Sequence, residues 1–492
     1  MKIKIMILSV EGVTALSFAA VIAFAVSRST VMGTSMPLSW PLWIAIICTI
    51  LLFSIRAKAD LGDHFMRVGF YVGMFAFFLS FPILSPDEVS TNISGETHDI
   101  LGWALFLTVV GFEVVYRIVG RSKKNPVPAP LTETSRRQRK WLFVLVLVGI
   151  GCWFLSVWDY AIASNAPLSS VLLMMRGVIE GSQTLSGPNY LVLALSSGIF
   201  LSATAATLLL CTDTLPIRTA IVCWPAVIAC AAVGFLGGSR AGFLYSFVPL
   251  AVVVWKKLSK LPFSFMVRAM GTFSAIVLVI VIWSAMTAMR GADIRDFEGG
   301  IEEISPVNDV QGAFDIYSTT AEVIEIFPAR VPYIYGESII PLVFGWVPRP
   351  LWPEKPYPFG LYMNLVNGES LDARAASLAV GLTGEGYGNF GLFGTFVWGG
   401  LLGLACRFGD RYLARFNHQS PMRLVLSGMA AVWVSMIVRG GVPEMFYMGL
   451  QVIALPIALA ALLSPYRRRI RIRFTESVRV SRQPKPSTSL RT

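Results

Sequence analysis

VPRPLWPEKPYPFG, Val347 to Gly360, is the centre of a stretch of about a hundred mixed polar, charged and aromatic residues, Arg290 to Tyr387, that lies between two hydrophobic segments. Everything on either side of that stretch is mostly apolar. The chain of 492 residues is 55% hydrophobic and only 14% charged, with a mean hydropathy of +0.65. That leaves too little charged surface for a soluble domain, so the bilayer is the expected solvent.

Outward from the central stretch, twelve apolar segments are long enough, or nearly so, to cross a hydrocarbon core at 1.5 Å per helical residue. Nine precede it: Ile5–Val26, Trp40–Ile55, Met66–Leu84, Ile100–Val119, Trp141–Val157, Tyr190–Leu210, Thr219–Leu236, Phe243–Trp255 and Ala269–Met289. Three follow: Gly388–Cys406, Met422–Val438 and Phe446–Leu463. Ile5–Val26 is read as a retained helix and not as a cleaved signal, because its run is longer than a usual signal core and further spans follow.

Charge sets the orientation. With the N-terminus inside, alternation places 31 of the 41 lysines and arginines on the cytoplasmic side and 10 outside, as the positive-inside rule requires. The expected fold is an all-α polytopic membrane protein with about twelve transmembrane helices and both termini cytoplasmic. Residues 1–289 form helices 1 to 9, 290–387 a large periplasmic loop, 388–466 helices 10 to 12, and 467–492 a basic cytoplasmic tail. Irregular backbone cannot face lipid, so the loop must cap the protein or re-enter a protein-lined cavity. The net charge of +12 therefore follows the membrane and does not call for nucleic acid. The six cysteines lie in or beside apolar runs and the three histidines are far apart, so neither a disulfide framework nor a metal site is expected.

Four arginines, a lysine, a tryptophan and one glutamate carry the candidate chemistry. Arg240 follows two glycines in GGSRAGFLY (Gly237–Tyr245), at the outer boundary of the eighth span. Arg439 repeats this in VRGGVPE, at the outer end of the eleventh. Each guanidinium is always charged and needs an anion or water there, or else snorkels to the interface. Arg290 emerges from the ninth span, while Arg349 and Lys355 lie in the Pro/Trp-rich centre; together with the other two they would neutralise a diphosphate. Trp352 and its aromatic neighbours either stack on sugar rings or form an interfacial belt. Glu385, in the glycine-rich GLTGEGYGNFG (Gly381–Gly391) at the edge of the tenth span, is the candidate general base. Glu113, inside a span, reads as a structural polar residue.

The order and sidedness of these features, from about Tyr190 to Leu463, resemble the Wzy-type polymerases of O-antigens and related exopolysaccharides, the oligosaccharide repeat-unit polymerases. The resemblance implies a bacterial inner-membrane glycosyltransferase that joins undecaprenyl-diphosphate-linked oligosaccharides on the periplasmic face, without cofactor or metal. It also implies a flippase and a chain-length regulator as partners. Arg240, Arg290 and Arg439, supported by Arg349, Lys355 and Trp352, would hold diphosphate or sugar, and Glu385 would take the acceptor proton. The nearest alternative is an O-antigen ligase, but the histidine expected in such a ligase's outer loop is missing from Arg290–Tyr387. A transporter is the remaining alternative, although a carrier built as two halves would put its long connection inside, after six spans.

Overall fold

Thr108, half-way along one long helix, has two neighbours that a straight helix would hold far apart, and this fixes the architecture around the loop. The computed structural model describes residues 64–79, 93–119, 136–164, 195, 197–212, 215–236, 240–258, 316–345, 347, 351–368, 378–416 and 420–463. All regular elements among them are helical. In chain order these are α1 (Phe65–Met74, running on as a π turn, Phe75–Leu79), α2 (Gly95–Ile118), α3 (Arg136–Ser164), α4 (Gly198–Leu210), α5 (Ile217–Leu236) and α6 (Arg240–Leu258). After the central stretch begins come α7 (Tyr317–Ile326), a 3-10 turn (Glu337–Ile339) leading into α8 (Ile340–Phe344), and α9 (Phe359–Val366). The last three are α10 (Gly381–Leu413), α11 (Pro421–Gly440) and α12 (Val442–Leu463).

Five of these helices are long and apolar enough to cross a bilayer: α2, α10, α11 and the segments Gln138–Asp159 of α3 and Ile217–Gly234 of α5. This fits a multi-pass membrane protein. The expected spans Ile5–Val26, Trp40–Ile55 and Ala269–Met289, the first part of the loop and the basic tail lie outside the described residues.

Helix α2 starts ahead of the apolar run expected from Ile100, at Ser94, whose hydroxyl accepts the Thr97 N–H at 3.2 Å, with Glu96 in the first turn. It runs parallel to the distal part of α10. Gly399 backs onto the Thr108 carbonyl and Gly403 onto that of Phe112, so the two backbones touch and no side chain fits between them. Yet Thr383 also stands at Thr108, hydroxyl to hydroxyl at 3.2 Å. Sixteen residues of straight helix would separate Thr383 from Gly399 by about 24 Å. The chain must therefore reverse between them.

The reversal is at Phe390 (φ −145°, ψ 24°) and Gly391 (φ +62°, ψ −148°). Helix α10 is thus a hairpin, with a short arm over 381–389 and a long arm over 392–413, and Gly386 of one arm lies against Gly394 of the other. The tip is held by loop aromatics: Tyr335 meets the Phe390 ring edge-on at 5.9 Å. At its other end the short arm starts inside the protein, where Gly381 is enclosed by Phe78, Ile316 and Val438. The two carbonyls before it are satisfied by α7, through Thr319 Oγ1 to Ala379 O and Thr320 Oγ1 to Val380 O, both 2.9 Å. A polar loop therefore re-enters the bundle with its backbone paired. Sequence reading begins the tenth span at Gly388 and places Gly381–Tyr387 before it, as a glycine-rich turn at the membrane edge. In the structure that segment is a buried helix. Gly391 adopts a conformation that side chains resist, and a Cβ there would also press on the Tyr333 hydroxyl at 3.0 Å. Gly391→Ala is expected to cost about 1–3 kcal/mol, seen as a lowered thermal midpoint in detergent; an unchanged midpoint would contradict the reversal.

Helix α11 lies parallel to α1, with the Ser435 hydroxyl donating to Gly69 O at 2.7 Å. Helices α3 and α4 are antiparallel, with the Ser202 hydroxyl donating to Val146 O at 2.9 Å and Gly198 packed on Gly149. Away from the hairpin tip, α1, α2 and α10 are joined by a buried polar network. Arg67 Nε donates to Glu113 at 2.7 Å, Tyr71 donates to the same carboxylate oxygen, and Arg117 Nε reaches the other at 2.8 Å. Beside it the Tyr116 hydroxyl donates to Asp410 at 2.7 Å, and the other oxygen of Asp410 accepts the Met66 N–H at 2.9 Å, capping α1. Glu113, read from the sequence as a structural polar residue, is the carboxylate on which Arg67, Tyr71 and Arg117 converge.

Candidate functional site

Glu385 is on the short arm, one turn before Asn389, so their side chains share a face. The Glu385 side chain is fully buried. Its Oε1 accepts the Ser338 hydroxyl at 2.8 Å, its Oε2 accepts the Val442 backbone N–H at 2.6 Å, and the Trp398 indole N–H also donates to it. Val442 opens α12, so the carboxylate sits at the positive end of a helix and caps it from another part of the chain. The pair Gly440–Gly441 makes this approach possible. Gly441 has φ +89°, and a Cβ there would lie 2.8 Å from Glu385 Oε2. Among the described residues no cation forms an ion pair with Glu385, and its partners are hydrogen-bond donors.

Asn389 completes the constellation, and its orientation is fixed by backbone groups. Its Oδ1 accepts the Gly336 N–H at 2.8 Å, so its Nδ2 must be the atom that donates to Glu385 O at 2.7 Å and to Ser338 Oγ at 2.9 Å. Ile334 and Tyr335 donate their N–H groups to the carbonyls of Gly388 and Asn389, which clamps the loop to the hairpin. Three stretches far apart in sequence, 334–338, 385–389 and 441–442, therefore meet at one acid.

Directly over Ser338 is a pocket of about 280 Å³, walled by Ile334, Glu337, Glu354, Tyr357 and Tyr362. Burial, and then the carboxylate of Glu337, raise the Tyr362 phenol above its ordinary pKa. The lining of the pocket is thus partly aromatic and acidic. Ser338, whose hydroxyl binds Glu385, is part of that lining.

No known protein family, curated protein or solved structure matches this chain. The geometry alone carries the reading.

The other candidate residues are placed as follows. Arg439 is in the last turn of α11, three residues before Val442, with its guanidinium carbon 6.0 Å from the Phe77 ring centre. Trp352 meets Phe344 edge-on at 5.9 Å beside the pocket wall. Lys355 lines the pocket, but its ammonium donates to the carbonyls of Val347, at 2.8 Å, and Gly345, at 3.4 Å. It closes the proline-rich loop upon itself. Arg240 is the first residue of α6 and its side chain, like the whole of Arg290 and Arg349, is outside the described residues. Sequence reasoning missed Ser338 and Asn389. The signal for Asn389 was present, since Glu385 and Asn389 are four apart, but four glycines among the nine residues Gly381–Asn389 argue for a turn and hide the helical spacing.

Proposed function

We propose that the protein is a bacterial inner-membrane polymerase that joins undecaprenyl-diphosphate-linked oligosaccharide repeat units on the periplasmic face, by glycosyl transfer without metal or cofactor. The observation that carries this reading is the buried carboxylate of Glu385, which has no cation paired with it among the described residues and lies one hydroxyl behind a sugar-sized pocket built by the long loop. A glycosyl transfer with a diphosphate leaving group needs an acceptor hydroxyl oriented and deprotonated, and a pocket of tyrosine rings and carboxylates suits a polyol.

In this reading the chain crosses the membrane about twelve times with both ends in the cytoplasm, and the hairpin tip faces the periplasm. The directions of packed helices support the alternation: α1 with α11 and α2 with the long arm of α10 are parallel, and α3 with α4 antiparallel, as the count demands. Arg411, Arg415 and Arg423 then fall on the cytoplasmic side. Arg439, at the same end as Glu385, joins Arg240 and Arg290 as clamps for the departing diphosphate, whose growing charge bidentate guanidinium groups stabilise. Arg349 and Trp352 support the sugar. Lys355, tied to loop carbonyls, contributes by shaping the pocket. A flippase that delivers the donor and a chain-length regulator are the expected partners.

Deleting the protein from its host tests this. Lipid-linked single repeats are expected to accumulate while polymer disappears, as read on gels of extracted glycolipid. If polymer persists with single repeats unchanged, the polymerase reading is lost; if polymer forms but is no longer attached to its lipid core, the protein is a ligase.

A further inference from the structure

Among the described residues, the hydrogen bonds around Ser338 leave it one unfilled capacity. A serine hydroxyl has one proton to donate and two lone pairs to accept with. Its proton goes to Glu385 Oε1, and one lone pair takes the Asn389 amide N–H. Asn389 cannot be turned the other way, because the Gly336 N–H occupies its oxygen and the Glu385 carbonyl takes its nitrogen. Ser338 therefore cannot give its proton elsewhere without breaking this set. One lone pair remains, on a residue that lines the pocket. Glu385 itself does not line that pocket and has no exposed surface, so it reaches a ligand there only through Ser338.

We infer that Ser338 is a catalytic proton relay between an acceptor hydroxyl in the pocket and Glu385. This rests on the proposed glycosyl transfer. As the acceptor oxygen forms its bond to the anomeric carbon, its proton passes to Ser338 Oγ and the Ser338 proton passes to Glu385 Oε1. The bond from the anomeric carbon to the diphosphate oxygen breaks, and its electron pair leaves with the diphosphate. The serine is neutral before and after, Glu385 becomes a carboxylic acid, and the heavy atoms need not move. Afterwards the acid hydrogen bonds back to Ser338 Oγ, Asn389 still donates to that atom, and Val442 still donates to Oε2. Only the direction of the proton chain has reversed. The proton returns to water in the emptied pocket along the same path. Asn389 acts as the positioning residue, because its amide prevents the Ser338 hydroxyl from pointing the wrong way.

The test uses the full-length protein in lipid nanodiscs, with lipid-linked repeat units extracted from the deletion host as the probe. Ser338→Ala is expected to lower turnover roughly 100-fold with KM changed only a few-fold, and Ser338→Thr, which keeps the hydroxyl, to restore most of the turnover. In mixtures of light and heavy water the wild-type rate should follow a bowed curve, since two protons move in one step. Full turnover in a folded Ser338→Ala variant overturns the relay, as does a straight line for the wild type, which needs no variant to fold. If Glu385→Gln is inactive while Ser338→Ala is active, the relay fails and the polymerase reading stands. If the wild type extends no lipid-linked repeat at all, both fall.

Discussion

Glu385→Gln is expected to reduce chain extension by about 10²–10⁴-fold, the usual worth of a positioned general base, while the protein still folds. The amide oxygen can keep the Val442 N–H as a partner, so the cap on α12 survives. The amide nitrogen, however, is a donor facing Ser338, whose hydroxyl already receives a donor from Asn389. There is then no acceptor for a proton leaving the pocket. Glu385→Ala separates catalysis from architecture. It strands the Ser338 hydroxyl, the Val442 N–H and the Trp398 indole without an acceptor, at about 1–3 kcal/mol for each buried group. The alanine variant should therefore lose thermal stability that the glutamine variant keeps, while both lose polymer. A normal ladder of polymer lengths from folded Glu385→Gln would remove the acid from the mechanism.

Arg67→Met is expected to destabilise the fold by about 3–5 kcal/mol. Arg67 and Glu113 are both buried, at 2% and 5% exposure, and Arg117, the other cation on that carboxylate, has a side chain 48% exposed. Removing Arg67 leaves a buried negative charge with the Tyr71 hydroxyl and one half-solvated guanidinium. Removing both charges, as Arg67→Met with Glu113→Gln, takes away the stranded charge as well. The double variant is therefore expected to melt above Arg67→Met alone, and the two single effects should not add. Additive melting shifts in detergent would mean the pair is not coupled. Polymer length in the double variant should stay near normal, because the network lies away from the hairpin tip and its acid.

The helical, multi-pass character of the chain was legible in the sequence because hydropathy acts over whole segments. Met66–Leu84 and Ile100–Val119 are visible as apolar runs whatever they pack against. The site was legible as one residue. Glu385 stands out as an acid among glycines at a membrane edge, but its surroundings were misread, since Gly381–Gly391 has the composition of a turn. It is helical because α7 satisfies the carbonyls before it and the long arm accepts glycine against glycine, and both causes are tertiary. Lys355 shows what local sequence hides. A lysine beside tryptophan and proline reads as an anion ligand, and in the structure it also donates to the carbonyls of Val347 and Gly345. The partnership of Arg67 with Glu113 joins residues 46 apart, and no local pattern announces it.

The contact between Glu385 and the Val442 N–H spans 57 residues towards the C-terminus, and it has a meaning for how the chain is made. During synthesis the short arm of α10 leaves the ribosome before the elbow that will receive its acid. Until α11 and α12 have been laid into the bilayer, that carboxylate has no helix end to cap. The set of hydrogen bonds around the Glu385 carboxylate is therefore complete only once Val442 has been made. A chain that stops before Val442 would lack the N–H that one oxygen of this buried acid accepts.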